Sequence, residues 1–270
     1  MQISLSGSLV LPQHEIHVWR ASLGRNSACL QELVKTLSSD ELDRANRFHF
    51  EADRSRFIIA RGILRNILSY YLGIEPHQLQ FCYGSHGKPA LKTCDLLHFN
   101  LSHSQDLALY AFTRDRQIGI DLEYVRHLPG LDQIVAQFFS IRERATFLAL
   151  PSSQQPAAFF HGWTCKEAIL KALGDGLALP LNQFDVSLLP DRPAKLFSIN
   201  GDRTAAERWL LQSFIPAPDY VAAVAIEGHD WEVKCWQWEG LAAKDRDGAM
   251  PLYAAANFDW HCQVYGGNSQ

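Results

Sequence analysis

Two long helical patterns, each stopped by a glycine and each set among short alternating segments, constrain this fold more than anything else in the chain. The first covers residues 53–72, with Phe57, Ile58, Leu64, Ile67, Leu68 and Tyr71 at helical spacing and Gly73 behind it. The second covers 157–173 and ends before Gly174, after a break at 151–156. Around the first, residues 14–20, 79–83, 97–101 and 107–112 alternate as strands do, and Ser38-Ser39-Asp40-Glu41 has the form of a helix start. Around the second, helical patterns over 131–138 and 141–150 precede strand patterns over 184–188, 195–199, 209–215 and 220–226, and 118–122 reads as the strand that begins the set. Each half therefore runs strand, helices, strands, which predicts an α+β protein of two similar halves, 1–116 and 117–228. Residues 229–270 read as an extension, its tryptophans capping the second half and its end, 266–270, disordered.

Bulk properties remove several classes of function. The 270 residues are 47% hydrophobic, enough for a substantial core, and the net charge of −4 comes with no basic run, so nucleic acid is not an expected partner. No apolar run reaches membrane-spanning length and no secretion leader is evident, so a cytoplasmic protein without a membrane partner is expected. The six cysteines form no C-x-x-C pair and read as reduced thiols rather than a disulfide framework or zinc site.

Chemistry concentrates in three places. In Gln117-Ile-Gly-Ile-Asp121-Leu-Glu123 the two acids leave one strand on the same face, about 7 Å apart, a repulsive arrangement that a divalent cation relieves. Two surface acids at a strand end would look the same. In Trp163-Thr-Cys-Lys166-Glu167-Ala-Ile-Leu-Lys171, Glu167 and Lys171 are neighbours four apart, beside an apolar stripe of Phe159, Phe160, Trp163, Leu170 and Leu173; an exposed ion pair is the plain alternative. In Asn100-Leu-Ser102-His103, with Gly87-Lys88-Pro89 upstream, a hydroxyl, an imidazole and a cation can meet phosphate oxygens. Ser102 and His103 are adjacent and no G-x-S-x-G elbow exists, which argues against a Ser/His/Asp hydrolase.

Taken in order, GKPAL, FNLSHS, IGIDLE and FHGWTCKEAILKALGDGL make the chain resemble the Sfp-type 4′-phosphopantetheinyl transferases over residues 38 to 226. The resemblance implies a pair of α+β halves related by a pseudo-twofold, with the active site in the cleft between them, the first half taking the nucleotide and the second carrying the acids. It implies transfer of phosphopantetheine from coenzyme A to a serine of an apo acyl, peptidyl or polyketide carrier protein, with Mg2+ and release of 3′,5′-ADP. By position, Asp121, Glu123 and Glu167 are then metal ligands and Glu167 the general base. Lys171 neutralises the pyrophosphate, Lys166 lies near the pantetheine arm, and Ser102 and His103 contact phosphate, His103 adding positive character. Lys88, shaped by Gly87 and Pro89, lines the adenine and 3′-phosphate pocket. Relatives hold the 3′-phosphate with lysines before the first long helix; here Arg44, Arg47, Arg56 and Arg61 are the candidates. Two fused halves form such a cleft without a second chain, so a monomer is expected. Another magnesium-dependent phosphoryl transferase, a carrier-docking module without chemistry and a purely structural domain are the competing readings.

Overall fold

The structure is a computed structural model that describes residues 2–5, 9–24, 27–85, 87–92, 94, 96–174, 179–241 and 252–256. The disorder expected at 266–270 lies outside the described residues. Strand β1 (Gln2–Leu5) and β2 (Glu15–Ser22) precede helices α1 (Ser27–Val34), α2 (Ser39–Ala45) and the long α3 (Glu51–Leu72). Gly73, at φ 64°, adopts the left-handed conformation that ends α3. Strands β3 (Phe81–Tyr83), β4 (Pro89–Leu91), β5 (Leu97–Ser104), β6 (Leu107–Arg114) and β7 (Ile118–Tyr124) follow, then α4 (Leu131–Phe138), α5 (Ile141–Leu148) and α6 (Gln155–Leu173). The rest comprises β8 (Phe184–Val186), β9 (Leu196–Ile199), α7 (Arg203–Glu207), β10 (Trp209–Phe214), β11 (Tyr220–Glu227), β12 (Glu232–Leu241) and β13 (Leu252–Ala256).

Two sheets organise these elements. The larger has the order β1-β13-β12-β2-β6-β5, and the smaller β10-β11-β7. Period-two alternation sorts their side chains. On β2 and β6, Trp19, Tyr110 and Phe112 face α3 and join Ile59, Ile63, Leu64 and Ile67 in one core. Val18, Leu109 and Ala111 face the other way and pack on Ile118, Ile120, Leu122 and Val224 of the smaller sheet. Behind that sheet, Ala223 and Ala225 meet Phe160, Ala168 and Ile169 of α6. The order of layers is thus helix, sheet, sheet, helix.

One element sits elsewhere than the sequence pattern implied. The segment after Gly228 packs Trp231 and Cys235 against the second half as expected, but it is also a strand of the larger sheet: β12 lies parallel to β2, pairing Glu232 with Glu15 through Gln237 with Arg20. Trp236 stacks on Trp19 with ring centroids 5.2 Å apart, and Trp238 enters the α3 core. The alternation of WEVKCWQW is that of a strand, but nothing local in it names a partner more than 200 residues earlier.

A candidate active site between two edge strands

The edge strands β5 and β7 of the two sheets meet without a backbone ladder. Side chains of β5 take the place of its carbonyls: Asn100 Oδ1 accepts from Ile120 N at 2.8 Å, Ser102 Oγ from Leu122 N at 3.3 Å, and Ser104 Oγ from Tyr124 N at 3.1 Å. On its opposite face β7 receives α6 at very close range. A Cβ on Gly119 would stand 2.0 Å from Ala168 O and 2.5 Å from Ala172 N, so only glycine permits this approach. That contact is what brings Glu167 and Lys171 to the strand carrying Asp121 and Glu123.

The four residues form one charged group. Lys171 Nζ lies 2.6 Å from Asp121 Oδ1 and also donates to Ile120 O at 3.2 Å and Ser102 Oγ at 3.3 Å. Asp121 is 5% exposed; its Oδ1 also accepts from Ser102 at 2.9 Å, whereas Oδ2 is buried with no hydrogen-bond partner. Burial pushes the Glu167 carboxyl up, the Asp121 and Glu123 charges push it further, and Lys171 opposes both. Burial and then Asp121 likewise raise Glu123, against Arg126, which lies 3.5 Å from Glu123 Oε2, and Ser104.

These residues fit a hard divalent cation by donor chemistry: three carboxylates, one with a buried acceptor oxygen that nothing satisfies. They are not gathered on one point, however. Among the described residues no group of three or more His, Cys, Asp or Glu stands ready to hold a metal. Lys171 occupies Asp121 Oδ1 instead.

A cleft of about 740 Å³ opens from this group toward α3. Glu167, Leu170 and Lys171 line it from α6, with Gly174 just past that helix, Asn100 through His103 from β5, and Phe57, Ala60 and Arg61 from α3. Arg44, Gly87, Lys88, Pro89, Leu179 and Pro180 complete the wall. Of the four arginine candidates, Arg44 and Arg61 reach the cleft and Arg47 and Arg56 do not line it. Arg47 is exposed, and Arg56 pairs with Asp106 at 3.0 Å and Asp53 at 3.4 Å. Arg61 is 6% exposed, rests over the Phe81 ring at 5.2 Å, and has a buried Nη1 without a hydrogen-bond partner.

Four residues take positions the sequence did not foretell. The Ser-His pair does not follow the strand: β5 runs on to Ser104, so Ser102 turns to β7 and His103 turns to the opposite face. Burial, with Lys171 and Arg56 nearby, lowers the His103 pKa, so the ring offers an N–H rather than positive charge at neutral pH. Lys88 Nζ is a crossbar between elements, donating to Lys171 O at 2.7 Å and Ile118 O at 3.2 Å while its stem lines the cleft. Lys166 does not line the cleft. One residue from Glu167 is about 100° around the helix, and the lysine points into the second core. There it is 0% exposed, 2.6 Å from Glu143 Oε2, and donates to Leu181 O at 2.7 Å and Phe184 O at 2.6 Å. Glu143 went unremarked in the sequence, although the Ser140-x-x-Glu143 capping box was there to be read: Glu143 Oε2 accepts from Ser140 N at 2.8 Å and Ser140 Oγ from Glu143 N at 3.2 Å.

Comparison with known proteins bears on the same residues. Residues 117–225 match the family profile of the 4′-phosphopantetheinyl transferase superfamily, and residues 17–114 match that of the 4′-phosphopantetheinyl transferase N-terminal region. The chain is 48% identical over 235 residues to the 4′-phosphopantetheinyl transferase HetI of Nostoc sp., across 86% of this chain and 95% of that protein. It is 30% identical over 161 residues to the 4′-phosphopantetheinyl transferase Sfp of Bacillus subtilis, across 60% and 70%. A phosphopantetheinyl transferase of Thraustochytrium is 25% identical over 263 residues, across 88% and 90%.

Proposed function

Since this chain belongs to the 4′-phosphopantetheinyl transferase superfamily, and is itself a 4′-phosphopantetheinyl transferase of the Sfp type, we propose that its cleft binds coenzyme A and passes the phosphopantetheine arm to a serine of an apo carrier protein, releasing 3′,5′-ADP in a magnesium-dependent reaction. The observation that carries this reading is the meeting of Asp121, Glu123, Glu167 and Lys171 beside a cleft that Glu167 and Lys171 line together with Arg44 and Arg61. Arginines suit the 3′-phosphate, and Arg61, whose Nε faces Glu41 at 3.4 Å, keeps a buried Nη1 without a hydrogen-bond partner. Asp121, Glu123 and Glu167 would hold Mg2+. The ion, when bound, supplies positive charge against the pyrophosphate.

In the transfer the serine Oγ bonds to the β-phosphorus, the bond from that phosphorus to the bridging oxygen breaks, and 3′,5′-ADP leaves with the electron pair. Glu167 takes the serine proton, a role helped by the burial and neighbouring acids that raise its basicity. Lys171 offsets charge on the leaving group, and His103 donates an N–H to a phosphate oxygen. The first half, to residue 116, serves the nucleotide and the second the acids. A cytoplasmic enzyme is part of the same reading, in keeping with five free cysteines among the described residues and no helix there long and apolar enough to cross a membrane.

The test is incubation with coenzyme A, Mg2+ and a panel of apo acyl, peptidyl and polyketide carriers, followed by intact mass. A gain of one phosphopantetheine with stoichiometric 3′,5′-ADP supports the proposal. Transfer that is unchanged by removing Mg2+, or by Asp121→Ala, would refute the metal assignment.

A further inference from the structure

We infer that Ser104, with Ser102, is a positioning residue that sets the acids of β7 for their cation; the inference rests on the magnesium reading above. Each serine of β5 does two things at once. Ser102 accepts from Leu122 N and donates to Asp121 Oδ1 at 2.9 Å. One step along, Ser104 accepts from Tyr124 N and donates to Glu123 Oε2 at 3.3 Å. A hydroxyl has one donor and two acceptor sites. Each serine therefore ties an acid's side chain to the backbone N–H of the residue after it.

The rung before these two differs in the way the inference requires. Asn100 makes the same contact to Ile120 N, but the residue before Ile120 is Gly119, with no carboxylate to hold. An acceptor alone suffices there, and a residue whose hydroxyl would aim at a carboxylate is absent. Where β7 carries an acid, β5 carries a serine. The pattern also changes the role expected of Ser102: its hydroxyl hydrogen is already given to Asp121, and Lys171 takes its second acceptor position. Phosphate contact from this strand then falls to His103, which faces the cleft.

Orientation matters because both side-chain contacts of Glu123 fall on one of its two oxygens. Its Oε2 is shared between Ser104 and the half-exposed Arg126. Partners of metal ligands that fix ligand geometry typically carry 10–100-fold of metal affinity.

The test compares Ser104→Thr with Ser104→Val, which share a shape and differ in the hydroxyl. Mg2+ is titrated calorimetrically into each protein with coenzyme A present, and thermal midpoints are taken alongside. Ser104→Thr is expected to bind Mg2+ within about threefold of the parent and Ser104→Val about tenfold or more weakly, at similar thermal midpoints. Equal Mg2+ affinity in Ser104→Val and the parent overturns the inference while leaving the magnesium reading intact. Equal weakening in Thr and Val assigns the effect to bulk and overturns it too. No Mg2+ uptake by the parent overturns both.

Discussion

Replacing Lys166 by Met separates a core role from a cleft role, because the substitution keeps most of the side chain and deletes the charge. The ammonium has three partners, all buried: Glu143 Oε2, Leu181 O and Phe184 O, each within 2.7 Å. Glu143 is 1% exposed and is itself bonded to Ser140 N and to Val186 N at 2.7 Å, so it cannot swing out to water when Lys166 is lost. Burial already raises the Glu143 pKa and lowers that of Lys166, and their mutual attraction opposes both shifts. Removing one partner of such a pair costs about 3–5 kcal/mol, the left-over carboxylate and two carbonyls sharing the loss. Urea unfolding of Lys166→Met at neutral pH should register that drop. At a temperature where both proteins are folded, the KM for coenzyme A should move by less than about threefold, since the ammonium does not line the cleft. The Glu143→Gln/Lys166→Met double variant should recover part of the loss, because the stranded charge is gone. A stability change under about 1 kcal/mol together with a large rise in that KM would refute the argument and return Lys166 to the substrate.

Gly119→Ala would drive a methyl into Ala168 O and displace α6 from β7; transfer should fall by at least about tenfold with a lowered thermal midpoint, read by carrier mass shift and calorimetry. His161 is 1% exposed and its pKa is lowered by burial to about 4. Its depressed value means a contribution present above the ordinary histidine pKa and lost as pH falls from about 6.5 toward 4, worth on the order of 3 kcal/mol. His161→Gln should flatten that limb of the stability–pH curve, measured by urea midpoints. Glu123 and Glu167 shift the other way: their raised values favour the ligand-free fold at low pH, and that contribution is lost as pH rises through them. Mg2+ replaces the protons, so thermal stabilisation by Mg2+ should grow from about pH 5 to about pH 8 in the parent and vanish in Asp121→Ala.

Much of the scaffold is written locally. Helical spacing with a terminal glycine located α3 and α6, and the apolar alternation of IGIDLEY located β7 and put Asp121 and Glu123 on one face. What the sequence could not convey is long-range pairing and which face a residue turns to when both faces are occupied. FNLSHS reads as a strand followed by a polar pair because its later residues are hydrophilic; in the fold, that polarity serves the seam with β7, so the strand continues through it. Lys166 reads as a polar residue beside the substrate for a similar reason. Only the tertiary arrival of Glu143 and two loop carbonyls makes a buried lysine tolerable.

The charge balance of the site follows from how the two sheets join. If Asp121, Glu123 and Glu167 are all ionised, Lys171 and the half-exposed Arg126 are the cations facing them, and Arg126 is weakened by solvent. The ligand-free chain holds Lys171 on Asp121, and burial together with Asp121 pushes both glutamates up. A pyrophosphate entering beside Lys171 would compete for that lysine and add negative charge to a group already in excess. A positive charge entering with it would relieve that excess, and Asp121 Oδ2, buried and unpartnered, is an acceptor for one. The serines of β5 hold the acids and Gly119 admits the helix that brings Lys171; under the proposed magnesium reading, metal and substrate would then favour each other's binding.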